Sequence, residues 1–341
     1  MKFLRLLLVM MVFSGASRAD QGDWQYTVKD KDTIWAVCER YVAEPLCWKK
    51  LTEYNQITTP KYLPPGTVLD IPKAWLIQTD STALVIAVEG KVLVGRNGIT
   101  PDTEVKVGDK LLVDDMVVTH QGSAMIEFAD GSRLLLKAHS QVRMDTLKYD
   151  DAANIAKSRI ELIKGRLKSQ VEKQVSGKGV YQILTPAAVA AVRGTEFRVA
   201  RSEQAETGKV VMTTELLTGS LAIQSENEEQ ALSAGQALIA TQDEALPEPI
   251  TLLPRPTTDL NQLKEFKLPA VFTWHAVQGA AHYMVSLSDN NSLLWEKQTE
   301  QPQLEIGQLE GAELMLRIRA VDAAGIEGRD RKIRITLPDT Q

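Results

Sequence analysis

GSAMIEFADGSRLLLKAHSQVRM, residues 122–144, holds two short strand-like runs, Ala124–Phe128 and Arg133–Leu136, on either side of an Asp130-Gly131 turn signal. The same spacing continues outward. Leu84–Val88, Lys91–Val94 and Lys110–Val113 precede it. Ile160–Lys164, Val180–Leu184, Glu196–Val199, Lys209–Thr213, Ser220–Ile223 and Ala237–Ala240 follow, punctuated by Gly194-Thr195 and Thr218-Gly219. Asp150 to Lys157 is the one polar, alanine-bearing interruption. Many short strands with glycine punctuation predict an all-β region over 76–240, built as a solenoid, sandwich or barrel. No helix–strand alternation supports a Rossmann-type sheet.

The chain has 341 residues, 24% charged and 44% hydrophobic, enough to bury cores and too unbiased for disorder. Lys2 and Arg5, the apolar run Leu6 to Phe13, and Ser17-Arg18-Ala19 read as a secretory signal peptide over 1–19, with cleavage before Asp20. Eight apolar residues are too short to cross a bilayer of about 30 Å. Without that leader, 36 basic residues face 44 acidic ones. So acidic a chain is a poor fit for non-specific nucleic-acid binding, which runs on phosphate neutralisation. The expected location is the periplasm.

In an oxidising compartment, Cys38 and Cys47, nine positions apart, are expected to form a structural disulfide. The alternative, a catalytic thiol, wants a nearby histidine, and the nearest in sequence is His120. Around the cysteines, Trp24–Val28 alternates as a strand. Ile34, Val37, Cys38 and Tyr41 follow helical spacing behind an Asp32 or Thr33 cap. Trp48, Leu51 and Tyr54 mark a second helix ending near Asn55. A Pro-Pro-Gly turn at 64–66 leads to the strand Val68–Pro72. The order is β-α-α-β.

These residues, YTVKDKDTIWAVCERY (26–41) and LTEYNQITTPKYLPPGTVLDIP (51–72), resemble a LysM domain, with Lys31 where the family pattern has a turn glycine. The resemblance implies that residues 20–75 bind peptidoglycan. One wall of the groove would be Asp32, Thr33 and Ile34, and the other Gln56, Ile57, Tyr62 and Leu63. Each has a structural alternative: Asp32 or Thr33 as helix cap, Ile34 and Leu63 as core. Trp35 and Trp48 fit either sugar stacking or rim packing.

Val107-Gly108-Asp109, the 122–144 stretch, IELIKGRLKSQV (160–171) and above all TPAAVAAVRGTEFRV (185–199) resemble a FecR domain. ELLTGSLAI and LSAGQALIA close the pattern. The resemblance implies a β-solenoid-like stack over 76–240. Arg193, Gly194, Thr195 and Phe197 are its signature, read here as structural. Phe197 and Val199 should point inward, Glu196 and Arg198 outward. Transmembrane signalling is not implied, because no sigma-binding segment or transmembrane helix accompanies the match.

Pro247, Pro249, Pro254 and Pro256 suggest an extended linker over 241–268. Beyond it, 269–341 resembles a fibronectin type III or related immunoglobulin-like sandwich, on Trp274, Tyr283 and LMLRIRAVDAAGIEG (314–328). Period-two alternation buries Leu314, Leu316 and Ile318 and turns Arg317 and Arg319 outward. It likewise exposes Lys332 and Arg334. Four like charges on adjacent strands suggest a face for an anionic partner or a solvated face balanced by nearby acids.

Catalytic machinery is not expected. No Ser-x-x-Lys or Gly-x-Ser-x-Gly occurs, and His120 and His139 are spaced unlike zinc ligands. No cofactor or metal is implied. The mainly β, multidomain reading is a wall-docked, non-catalytic periplasmic protein that presents its β-rich domains to an envelope protein. The alternative is a signalling accessory whose FecR-like region senses a ligand state. A cell-wall hydrolase is a distant third.

Overall fold

A computed structural model describes residues 23–60, 63–72, 75–77, 79–150, 155–173, 180–192, 194–258, 269–289, 292–307 and 313–336. The expected signal peptide, Tyr62 and Arg193 lie outside the described residues. The chain divides into two compact units, 1–76 and 77–341.

In the first unit, Trp24–Thr27 and Val68–Ile71 pair antiparallel. Helices α1 (Ile34–Tyr41) and α2 (Cys47–Tyr54) pack over this ribbon. The core is small: Ile34, Val37, Leu51, Leu69 and Ile71 are fully buried. So little apolar surface favours a covalent staple, and the Cys38–Cys47 disulfide ties α1 to the first residue of α2. Asn55, just past α2, gives an amide N–H to the Asp70 carbonyl at 2.8 Å and accepts the Asp70 N–H at 2.6 Å. It completes the open side of the strand as a third backbone would. Cys38→Ser is expected to lower the stability of this unit by about 2–3 kcal/mol, from the entropy of so short a loop. A thermal melt of residues 20–76 read by tryptophan fluorescence checks this, and an unchanged midpoint would refute it.

The second unit is β throughout its described part. From Thr79 to Thr251 the strands fall into two sheets. One runs Thr103–Glu104, Val92–Gly95, Met116–Thr119, Gln141–Asp150, Ile155–Lys164, Val180–Leu184, Val189–Val192, Ser220–Gln224, Glu229–Ser233. The other runs Lys110–Leu111, Ala83–Glu89, Ser123–Glu127, Arg133–Leu136, Gly165–Gln170, Glu196–Glu203, Val210–Thr218, Gln236–Thr241. The chain lays one or two strands in one sheet and then crosses to the other, a solenoid-like winding. A continuous core that includes Val117, Ile126, Leu136, Ile160, Phe197 and Ile223 fills the space between them.

Ile155–Gln170 belongs to both sheets. Its first half pairs with Gln141–Asp150 and its second with Glu196–Glu203, and Gly165 (φ +85°) is the bend between them. The polar interruption expected at Asp150–Lys157 is therefore corrected: Asp150 and Ile155–Lys157 are paired strand. Asp150 is buried and Lys157 half-buried on paired strands, so the polarity of the stretch disguised a strand as a break.

The segment expected as a linker is also different in its described part. Ile250–Thr251 adds to the edge of the stack, beside Gln236–Ala237. Leu252 is buried against Ala237 and Ile326. The His275 N–H donates to the Thr257 carbonyl at 2.8 Å, so 250–258 is a strap lying between the two β bodies of this unit.

The C-terminal region pairs Ala270–Thr273 with Gln303–Ile306. It sets Leu293–Thr299, His282–Ser288, Glu313–Val321 and Arg331–Thr336 in a four-stranded sheet, in that order. Phe272, Trp274, Tyr283, Leu316 and Ile318 form its core.

The other face of the four-stranded sheet packs on the β stack, and this overturns the expected basic surface. Arg319 is 3% exposed and ion-pairs with Glu296 and Glu327. Lys332 pairs with Glu196 of the stack at 3.2 Å, and Arg317 donates to Ser288 Oγ. Arg334, like Lys332, is exposed. From the stack, Arg198, expected outward to solvent, is buried: it pairs with Glu215 and Asp330 and donates to the carbonyls of Glu327 and Gly328. Glu215 returns the contact by accepting the Glu327 N–H at 2.7 Å. The acids that balance the arginines come from this same chain.

Candidate glycan-binding groove

Two loops form the candidate groove, one leading into α1 and one leaving α2. They emerge at the same end of the two-stranded ribbon. Val28 donates its N–H to Thr67 and accepts that of Gly66, both at 2.8 Å. The mouth is thus pinned by backbone bonds beyond the last strand residues.

The first wall is built from side chains turned inward. Asp32 accepts the Tyr26 hydroxyl at 2.5 Å and the Lys29 N–H at 2.9 Å. These bonds, the Tyr26 one foremost, hold its carboxyl below the ordinary aspartate value. Tyr26 itself is pushed up by burial and by its bond to Asp32. Thr33 caps α1, its Oγ1 accepting the Ala36 N–H at 3.1 Å. Ile34 is fully buried. In the second wall Leu63 is buried, Ile57 half-buried and Gln56 exposed. Of the seven residues placed there from the sequence, Asp32, Thr33, Ile34 and Leu63 shape the walls from within. Gln56 and Ile57 face outward. Their backbone, together with these two side chains, is what a ligand would meet.

Lys31 takes the left-handed conformation, φ +68°, that glycine adopts freely. The turn therefore has the geometry of a glycine turn, at a conformational cost. Lys31→Gly is expected to stabilise this unit by about 0.5–1 kcal/mol, the left-handed penalty less the added chain entropy of glycine. Urea unfolding checks it, and destabilisation would refute it.

Trp35 and Trp48 stack on one another, centroids 5.1 Å apart and planes 15° apart, both partly exposed. They join the outer faces of the two helices that the disulfide links.

Across the β stack, Gly194 has φ +75°, and a Cβ there would lie 2.9 Å from Lys173 Cα. Phe197 is fully buried beside Tyr181. Thr195 is buried too. These three serve the turn and the core.

Residues 26–72 match the LysM domain model, and residues 114–222 match the model described as FecR protein. The chain carries a LysM domain followed by a FecR domain. The LysM match spans the ribbon and both helices. The FecR match runs from Asp114 through Ala222, inside a stack whose sheets extend beyond it on both sides. An uncharacterized protein of Deinococcus radiodurans is 40% identical over 53 residues, 16% of this chain and 21% of that one. The chain thus spans about a fifth of that relative's length. Two crystal structures of a candidate anti-sigma factor from Parabacteroides distasonis are similar to it at 16% and 17% identity, with TM-scores of 0.31 and 0.32. Each covers 39% of this chain and 57% of that one. Among the described residues no helix is long and apolar enough to cross a membrane.

The ionic joint of the second unit escaped sequence reasoning. Lys137, Lys168, Glu215, Glu296, Glu327 and Asp330 sit on outward positions of strands or in the 322–330 turn, where charged residues are unremarkable. Only the period-two inference that Arg198 and Arg319 leave their own cores hinted at it.

Proposed function

We propose that this is a non-catalytic periplasmic protein that docks on peptidoglycan through its LysM groove and presents the FecR stack, with the C-terminal sheet packed on it, to another envelope protein. The observation that carries this reading is the LysM match over a complete ribbon-and-helix-pair unit whose two groove loops open side by side. Backbone groups over the half-buried Ile57 suit an N-acetyl group, which brings one donor, one acceptor and a methyl. The disulfide and the leader-like N-terminus favour export. The second unit has its own core, so it can be tested alone. The mature chain should co-sediment with purified sacculi, and residues 77–341 should stay in the supernatant. Ile57→Asp in the full chain should weaken pelleting by about tenfold, the scale of a contact-residue truncation. Equal pelleting of 77–341 would refute the groove assignment, and release of soluble fragments from sacculi would refute the non-catalytic reading.

The FecR match also favours a second reading, an envelope signalling accessory that the LysM domain only tethers. A regulator that co-purifies with the chain in one ligand state and not another would select it.

A further inference from the structure

Between the β stack and the four-stranded sheet lies a cavity of about 150 Å³. Arg133 and Asp289 at its edge are exposed, so solvent reaches it. Seven cations stand around this joint: Lys137, Arg166, Lys168, Arg198, Arg317, Arg319 and Lys332. Besides the exposed Asp289 at the cavity's edge, five carboxylates face them, and four of the five are shared between cations. Glu327 serves Lys137, Arg166, Arg198 and Arg319. Asp330 serves Lys168, Arg198 and Arg319. Glu196 serves Lys168 and Lys332, Glu296 serves Lys137 and Arg319, and Glu215 serves Arg198.

The shortfall falls on one side of the cavity. Among the described residues Arg317 has no carboxylate within ion-pair distance. Its one side-chain bond goes to Ser288 Oγ, and its Nε is buried without a partner. Lys168 lines the same cavity and shares both of its acids with other cations. Ser288, accepting from Arg317, keeps its own O–H free to donate, and Ser286 lines the cavity beside it. Burial lowers the pKa of both Lys168 and Arg317, against the partial pull of Asp330 and Glu196. Arg198 and Arg319 are buried more deeply than Arg317, yet their acids overcome the burial. A half-buried guanidinium whose buried Nε–H is idle, beside free hydroxyls, is the donor set of an oxyanion site.

We propose that this cavity binds a small dianion, a carboxylate- or phosphate-bearing molecule, through Arg317 and Lys168 with the Ser286 and Ser288 hydroxyls as further donors. The ligand would join the β stack to the C-terminal sheet and supply negative charge beside Arg317, which has no carboxylate of its own among the described residues. That makes the joint responsive to a solute, independently of the glycan groove.

The test is calorimetric titration of the full chain, at constant ionic strength, with inorganic phosphate, with succinate and with chloride as monoanion control. One dianion should saturate a single site at millimolar concentration or below, about tenfold or more tighter than chloride. Which dianion wins identifies the headgroup. Arg317→Gln should weaken it by about tenfold or more, as should Leu293→Trp, which fills the cavity from a half-exposed lining position. If Arg317→Gln does not fold, Leu293→Trp decides. Absence of saturation by either dianion, or equal binding by a folded variant and the wild type, overturns the proposal. Sacculus pelleting, which tests the LysM groove, should be the same in all these proteins.

Discussion

Arg319→Ala is expected to destabilise the second unit by about 3–5 kcal/mol, the cost of removing one partner from a buried ion pair. Arg319 is 3% exposed, and its loss strips Glu296 and Glu327 of their closest cation. The remaining acids keep Lys137, Arg166 and Arg198, so the stack itself should stay folded while the C-terminal sheet comes away. Urea unfolding followed separately by Trp274 fluorescence and by far-ultraviolet dichroism should lose its single transition. Adding Glu327→Ala should cost less than the sum of the two single changes, since each removes the other's unpaired charge. A loss under 1 kcal/mol, the worth of an exposed pair, would show that the joint does not hold the sheet.

The pH dependence follows from the same groups. Although burial opposes ionisation at each, Glu327 is held well below the ordinary glutamate value, and Glu196, Glu296 and Asp330 are also lowered, by the surrounding cations. Carboxyls with depressed folded values contribute stability that is fully present above their unfolded values, near pH 4, and is lost as pH falls through the folded ones. Glu215 goes the other way, raised by burial, and its contribution is present at low pH and lost as pH rises through its folded value. Four lowered groups outweigh one. The C-terminal sheet should therefore loosen as the medium is acidified from about pH 5 downward, before the disulfide-stapled first unit, and limited proteolysis across that range would show it.

Gly165→Val is expected to abolish the native stack. At φ +85°, a Cβ would sit 2.3 Å from Ser140 Oγ, 2.6 Å from Ser140 Cα and 2.7 Å from the His139 carbonyl. Two of those atoms are backbone, so no rotamer change relieves the clash. Gly165 is also where Ile155–Gln170 passes from one sheet to the other. A strand forced straight there would keep its pairing in one sheet and forfeit it in the second. The loss should exceed about 4–5 kcal/mol, beyond what most domains tolerate, and the variant should collect as insoluble material or lack a cooperative melt. A variant that melts near the wild-type midpoint would remove Gly165 as the pivot.

The groove was partly legible in advance. Helical spacing identified Ile34 and Leu51 as inward, and capping rules pointed to Asp32 or Thr33. Only coordinates separated those two: Thr33 caps the helix and Asp32 binds Tyr26. Lys31 illustrates a different limit. A lysine carries no sequence mark of positive φ, so the turn's conformation came from closure of the loop around it.

Sequence alone determined the strand runs, the β-α-α-β unit, the disulfide and the LysM and FecR assignments. The two assignments rest on motifs that resemble those families; the rest come from local periodicity, turn chemistry or short spacing, which neighbouring residues settle between themselves. Alternation also determined that Arg198, Arg319 and Lys332 leave their own sheet's core. What lies beyond that face is another matter. Period two states which side of a strand a side chain takes, and nothing about whether water or a second sheet waits there. Only the tertiary structure placed Asp330 opposite Arg198 and Glu196 opposite Lys332, because pairing residues more than a hundred positions apart depends on how whole sheets pack.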